Sequence, residues 1–204
     1  MRKTFPPRLS FFDLFGSPDP AGSYFSRLPV LETPRLILRP MRMRDARDIY
    51  AYSSDGQVAR YVLWEPHRSL SETREYIRAI RRLYRAGLPS SWAMELRETN
   101  RVIGSIGFMW YSPENHSAEI GYSLSRSFWN QGLATEALTR VIRSAFDDLH
   151  LHRLEAQYDV RNPASGRVME KCGMQLEGVL RGRIFNKGEY VDAALCAILS
   201  KKNI

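Results

Sequence analysis

Between residues 117 and 146 the apolar period changes from two to 3.6 across one short loop, and this constrains the fold more than any other stretch of the chain. In Ala118-Glu119-Ile120-Gly121-Tyr122-Ser123-Leu124, the apolar Ile120, Tyr122 and Leu124 alternate with Glu119, Gly121 and Ser123. That is a strand with two unlike faces. After Gly132, apolar residues recur at Ala134, Ala137, Leu138, Val141, Ile142, Ala145 and Phe146, one face of a long helix. The first N–H groups of such a helix have no internal partner and lie at the positive end of its dipole. An anion held there accepts several hydrogen bonds. Gly132 lets the backbone approach closely, and small Ala134 leaves the amides uncovered. Taken alone, the turn needs no ligand; a single glycine before a helix is a common connection.

The same reasoning orders the rest of the chain. Leu36-Ile37-Leu38 reads as a first strand closed by Pro40, and Asp45 to Ser54 as a helix. A second helix runs from about Ser71 to Arg85, capped by Ser69 or Ser71 and ended by Gly87. Strands at 91–97, 101–111 and 117–124 form an antiparallel meander. After the long helix come a strand at 153–160 and a short helix from Pro163 to Cys172. A hairpin, 175–184 and 189–199, then turns at Asn186-Lys187-Gly188. The result is a mixed α/β domain with one central, mostly antiparallel sheet and about four flanking helices.

Residues 1–30 differ from residues 31–204. Five prolines and two glycines oppose regular structure there, and the segment reads as an arm. Its aromatics, Phe11, Phe12, Phe15, Tyr24 and Phe25, imply packing against something.

Composition bounds the function classes. No apolar run is long enough to span a bilayer, and no apolar stretch near the start marks a secretory signal. Two cysteines, Cys172 and Cys196, make no disulfide framework, so a reducing cytoplasm is expected. A net charge of +8 favours acidic partners. The densest arginine cluster, Arg74, Arg78, Arg81, Arg82 and Arg85, has the spacing of a solvated helix face. Direct DNA binding is not expected, since neither a recognition helix nor an aromatic-basic motif is present. His150 and His152 lack a third ligand at suitable spacing, so no metal is expected.

Several segments together carry a family resemblance. They are Leu31-Glu32-Thr33-Pro34-Arg35-Leu36, residues 118–124, Trp129-Asn130-Gln131-Gly132-Leu133-Ala134, Asn162-Pro163-Ala164-Ser165 and Glu170-Lys171-Cys172-Gly173-Met174. They resemble the GCN5-related N-acetyltransferase superfamily, and more narrowly its branch that acetylates ribosomal-protein N-termini. The resemblance covers roughly residues 31–200 in the expected element order. It implies acetyl-coenzyme A as cosubstrate, with its pyrophosphate on the amides of Gln131, Gly132, Ala134 and Thr135. The family's loop usually reads Gln/Arg-x-x-Gly-x-Gly/Ala. Trp129 replaces the first residue here, at little cost to a backbone site.

The resemblance also assigns roles. Glu119 matches a glutamate that handles the amine and is the candidate base, against the plainer reading of a solvated strand carboxylate. The strands 117–124 and 153–160 become a splayed parallel pair, with backbone groups of Tyr122, Ser123 and Leu124 facing the thioester. Asn162 caps a helix and contacts the pantetheine arm. Many members place a tyrosine acid where Met169 stands here; the terminal-acetylating branch uses a serine, matched by Ser165, which both touches the cofactor and offers a proton to sulfur. Glu136 is a dipole-compatible residue of the first helical turn. Cys172 is set aside as a nucleophile, because a helix C-terminus opposes a thiolate.

The acceptor stays open among a protein N-terminus, a small amine and an antibiotic amine, with Trp64, Trp110, Tyr111 and Phe185 as candidate liners. A non-catalytic acyl-CoA sensor is the alternative from another class. No membrane partner is expected, and the chain is read as a monomer or homodimer.

Overall fold

The computed structural model describes residues 20–201. The period-2 segment forms strand β5 (Ser117–Leu124) and the period-3.6 segment forms helix α5 (Leu133–Asp147), as read from the sequence. Before them come α1 (Pro20–Ser26), β1 (Leu31–Glu32), β2 (Leu36–Pro40), α2 (Ala46–Ser53), α3 (Gly56–Ala59), α4 (Leu70–Ala86), β3 (Ser91–Leu96) and β4 (Arg101–Ser112). After them come β6 (Arg153–Asp159), α6 (Pro163–Lys171), β7 (Gln175–Asn186) and β8 (Glu189–Leu199). Two short elements, α1 and α3, bring the α-helices among the described residues to six rather than about four.

The eight strands form one sheet in the order β1-β2-β3-β4-β5-β6-β8-β7. Every neighbouring pair is antiparallel except β5 and β6. That parallel pair is in register only from Ser117–Arg153 to Glu119–Glu155. Beyond Glu119 the two strands diverge, and a gap opens in the middle of the sheet. A register shift in β4 between Phe108 and Trp110, beside the same point, adds local twist.

Alternation along the strands feeds two cores. Trp92, Ile106, Ile120 and Leu154 pack with Ala137, Val141 and Ala145 of α5 on one face. Ala93 and Val102 pack with Ile49, Tyr52, Ile77 and Ile80 of α2 and α4 on the other. Ser69 caps α4 by accepting from the Glu72 amide, and Gly87 ends it in the left-handed region, both as read. Asn162 stands at the α6 N-cap without a side-chain cap bond, which corrects the expected capping role. The hairpin turns on Lys187 and Gly188, with φ of 51° and 89°; Asn186 is the last residue of β7.

Helix α1 was not anticipated. Phe25 is 1% exposed and meets Phe108 and Tyr111 edge to face, while the Tyr24 hydroxyl pairs with Ser144 at 2.8 Å. Burial pushes the Tyr24 phenol up to about 12, so it keeps its proton for that bond. Phe11, Phe12 and Phe15 lie outside the described residues. Among the described residues no helix is long and apolar enough to cross a membrane.

Candidate active site

The gap between β5 and β6 sets the geometry. Glu119 is the last β5 residue in register with β6, so its side chain stands at the fork. Its Oε2 accepts from Trp110 Nε1 at 2.7 Å and from Gln157 Nε2 at 3.1 Å. Both donors are neutral, and Oε1 has no hydrogen-bond partner among the described residues. Other carboxylates of this face are neutralised: Glu155 pairs with Arg153 at 2.7 Å and Asp159 with Arg161 at 2.6 Å. Arg161 also holds its partner Asp159 well below the usual carboxylate range, with burial opposing in part. Glu119 therefore keeps an unneutralised charge and a vacant oxygen, which suits it to a cationic nitrogen.

The loop before α5 is built for an anion. Asn130 and Gly132 both take positive φ, 59° and 76°, and Gly132 is the α5 N-cap. The first intrahelical bond runs from the Glu136 amide to the Gly132 carbonyl at 2.9 Å. The amides of Leu133, Ala134 and Thr135 precede it and so have no carbonyl partner within the helix, and all three residues line the cleft. Of the four amides expected to hold pyrophosphate, those of Gly132, Ala134 and Thr135 belong to residues lining the cleft, whereas Gln131 does not. Gln131 instead donates from Nε2 to the Ser127 carbonyl at 3.0 Å. Trp129 Nε1 donates to the Leu124 carbonyl at 2.8 Å, so the unusual tryptophan folds the loop back onto the end of β5.

The segment at 33–35 braces this loop, a contact that sequence reasoning missed. Glu136 accepts from Thr33 Oγ1 at 2.6 Å, the Arg35 amide at 2.8 Å and Arg35 Nε at 2.7 Å. Partial burial opposes the charge of Glu136, but these donors hold its carboxyl below the usual glutamate range. Glu136 is thus a bracket rather than a mere dipole partner.

The opposite wall is α6. Tyr122 points from β5 toward it, and its hydroxyl lies 2.9 Å from both the Ser165 carbonyl and Ser165 Oγ. Burial drives the Tyr122 phenol far above its ordinary value, so it remains protonated. Tyr122 had been assigned through its backbone alone; its side chain puts a second hydroxyl beside Ser165. Gly166 follows because any Cβ there would come within 2.6 Å of the Tyr158 ring. Met169 is buried in the core. Burial raises the Cys172 thiol, which leaves it a poor nucleophile.

Between these walls runs a cleft of about 760 Å³. Ser123, Leu124, Asn162 and Ser165 line it with Tyr122; Arg60, Arg167 and Lys171 make it cationic, while Arg161, also in the lining, is paired with Asp159 and Glu189. Its far side is the segment after α3. Lys187 fixes that side by donating to the Ala59 and Val62 carbonyls at 2.6 and 2.7 Å. The aromatic liners expected for the acceptor separate. Trp110 touches Glu119. Trp64 packs on His67, and Phe185 meets Tyr190 at a tilt on the surface. Tyr111 belongs to the core beside Phe25 on the opposite face.

Comparison with known proteins agrees with this architecture. The acetyltransferase (GNAT) domain matches residues 35–175. The uncharacterized N-acetyltransferase p20 of Bacillus licheniformis is 34% identical over 175 residues, 86% of this chain and 98% of its own. The [ribosomal protein uS5]-alanine N-acetyltransferase of Escherichia coli is 28% identical over 185 residues, 86% of this chain and 94% of its own. The structure of RimL, a ribosomal L7/L12 α-N-protein acetyltransferase in complex with coenzyme A, superposes with a TM-score of 0.75. It is 22% identical, over 84% of this chain and 98% of its own, a likeness of fold. The chain belongs to the GNAT acetyltransferase family. It is an N-acetyltransferase enzyme.

Proposed function

We propose that the protein transfers an acetyl group from acetyl-coenzyme A to the primary amine of a protein N-terminus, by direct attack within a ternary complex. The observation that carries this reading is Glu119, an unneutralised carboxylate at the fork where β5 and β6 part. The cofactor fits the residues present. Unspent amides at the head of α5 and the cationic side chains of the cleft match its phosphates, and the open fork leaves strand edges for an extended pantetheine arm. When bound, the coenzyme supplies the activated acetyl thioester.

The chain's own groups then divide the work. Glu119 accepts a proton from the acceptor ammonium. Backbone N–H groups around Tyr122 to Leu124 steady the developing negative oxygen. Ser165, beside Tyr122, gives a proton to the departing sulfur. Asn162 lines the cleft as a contact for the pantetheine arm. A protein acceptor is favoured by the likeness to the uS5-alanine enzyme. Two free thiols and the nature of that substrate suit a cytoplasmic setting.

Calorimetric titration with acetyl-CoA and desulfo-CoA, followed by mass spectrometry of peptides incubated with acetyl-CoA, tests the proposal. Binding of both ligands and N-terminal acetylation of a peptide are expected. No binding at millimolar cofactor would overturn it, and binding without transfer to any amine would leave a sensor instead.

A further inference from the structure

Helix α4 carries Arg74, Arg78, Arg81, Arg82 and Arg85, and every one of them is exposed. At 3.6 residues per turn they fall within an arc of about 100°, as a stripe about 16 Å long. The only other residue of α4 within that arc is Ser71. None of these arginines pairs with a carboxylate among the described residues, whereas Arg35, Arg39, Arg97, Arg101, Arg153 and Arg161 each hold one. The carboxylates of the helix do not answer them. Glu72 accepts from the Arg68 amide at 2.7 Å, and Glu75 makes no ion pair among the described residues. The pairs Arg74–Arg78, Arg78–Arg82 and Arg81–Arg85 are four residues apart, where like charges oppose a helix. The helix stands in spite of them, on Ile77 and Ile80 buried beneath it and on its capped ends. The stripe is a fixed concentration of positive charge that a polyanion relieves.

We propose that this face of α4 binds the phosphodiester backbone of a nucleic acid without reading its bases. The surface is separate from the cleft, since none of its arginines lines that cavity. The proposal therefore does not depend on the acetyl-transfer reading. Three kinds of polyanion would match the charge, and the lack of any apolar side chain within the arc decides among them. A helix lying on an anionic membrane sinks Trp, Phe or Leu beside its basic residues. A protein interface needs a core depleted of charge and enriched in aromatic side chains. A phosphate backbone needs neither, and a guanidinium grips phosphate oxygens two at a time. The length fits as well. Phosphates of one duplex strand recur about every 3.4 Å along the axis, so the stripe spans about five of them. It carries no Asn or Gln to match the edge of an adenine. Contacts to phosphate fix position and carry no sequence information, which agrees with the absence of a recognition helix.

The test uses the full chain and fluorescence anisotropy with labelled RNA and DNA duplexes of one sequence, over a range of salt. Both are expected to bind, with log K falling against log salt at a slope of about −4. The triple variant Arg74→Gln/Arg78→Gln/Arg82→Gln should weaken binding at least about tenfold and flatten the slope by about 3. Coenzyme A should bind the variant as it binds the unsubstituted protein. The melting temperature should hold or rise, because the repulsion between like charges is relieved. The two duplexes share their phosphates and differ in sugar and groove. Equal affinity means that the backbone alone is gripped, and a preference for one of them names the source; either result supports the proposal. No binding to either duplex at low salt, or a triple variant that binds them as the parent does, would overturn it. So would displacement of the duplexes by saturating coenzyme A, which would put them in the cleft. Tighter binding of phosphatidylserine vesicles or of polyglutamate than of either duplex would also overturn it, in favour of a membrane or an acidic protein.

Discussion

Arg35 reaches Glu136 and Gln131 with one guanidinium: Nε donates to Glu136 Oε2 at 2.7 Å and Nη1 to the Gln131 carbonyl at 2.9 Å. The segment that opens the domain is thereby tied to both sides of the Gly132 turn. Arg35→Met should leave the fold intact, since the side chain is 48% exposed, but loosen the loop. Acetyl-CoA Kd should rise about fivefold, measured by calorimetry, from the lost preorganisation.

Glu136 gives that bracket a pH dependence. Its carboxyl titrates below the ordinary glutamate range in the folded protein. The folded state therefore favours the charged form, and the resulting stability is fully present above the unfolded-state value. It drains away as pH falls through the depressed folded value. Urea unfolding should show less acid sensitivity in Glu136→Gln than in the parent, with the difference confined to pH below about 4.3.

Gly132→Ala separates conformation from crowding. A Cβ at Gly132 would meet nothing closer than Arg35 Nη2 at 3.6 Å, so space is not at issue. The φ of 76° is, and an alanine held there costs about 1–2 kcal/mol. Thermal unfolding should drop by about 2–8 °C. Coenzyme affinity should weaken too as the turn relaxes. Gly178→Ala, at an open position with no positive φ, is the control and should be near neutral.

Tyr122 and Ser165 form a hydroxyl pair whose members should not act independently. With its single phenolic hydrogen donated to the Ser165 carbonyl, Tyr122 accepts from Ser165 Oγ and holds that hydroxyl in place at the cleft wall. Ser165→Ala should lower kcat about 100-fold and Tyr122→Phe about tenfold, with acetyl-CoA Kd little changed. The double variant should cost no more than Ser165→Ala alone. Fully additive losses would mean that the two hydroxyls serve separate ends.

The elements that the sequence made legible are those whose burial follows a period. Residues 117–124 and 133–147 alternate or repeat cleanly because each packs one face on a core. The position of Glu119 was accessible from the same alternation together with the family resemblance. What escaped depends on contacts between distant segments. Thr33 and Arg35 lie about a hundred residues from Glu136, and nothing in their local spacing announces the bond. Nothing in local spacing singles out Gln157 either; only the fold brings its Nε2 to Glu119. Asn162 misled in the other direction, because the right residue at a helix start still left its side chain out of the cap.

Helix α1 shows the same limit, and it can be tested directly. Its sequence, Pro20-Ala-Gly-Ser-Tyr-Phe-Ser26, has seven residues, a proline and a glycine, too short and too weak to be helical by propensity. Its order comes from tertiary burial: Phe25 at 1% and Leu28 at 5% exposure sit in the same core as Trp92 and Phe108. Phe25→Ala should destabilise by about 3–5 kcal/mol in chemical denaturation, the usual cost of emptying a packed aromatic site. A chain beginning at residue 31 loses both side chains together with the bond from Trp92 Nε1 to the Pro29 carbonyl at 2.7 Å. It should be less stable than Phe25→Ala. Full stability of that shortened chain would show that the domain is self-sufficient from Leu31 onward.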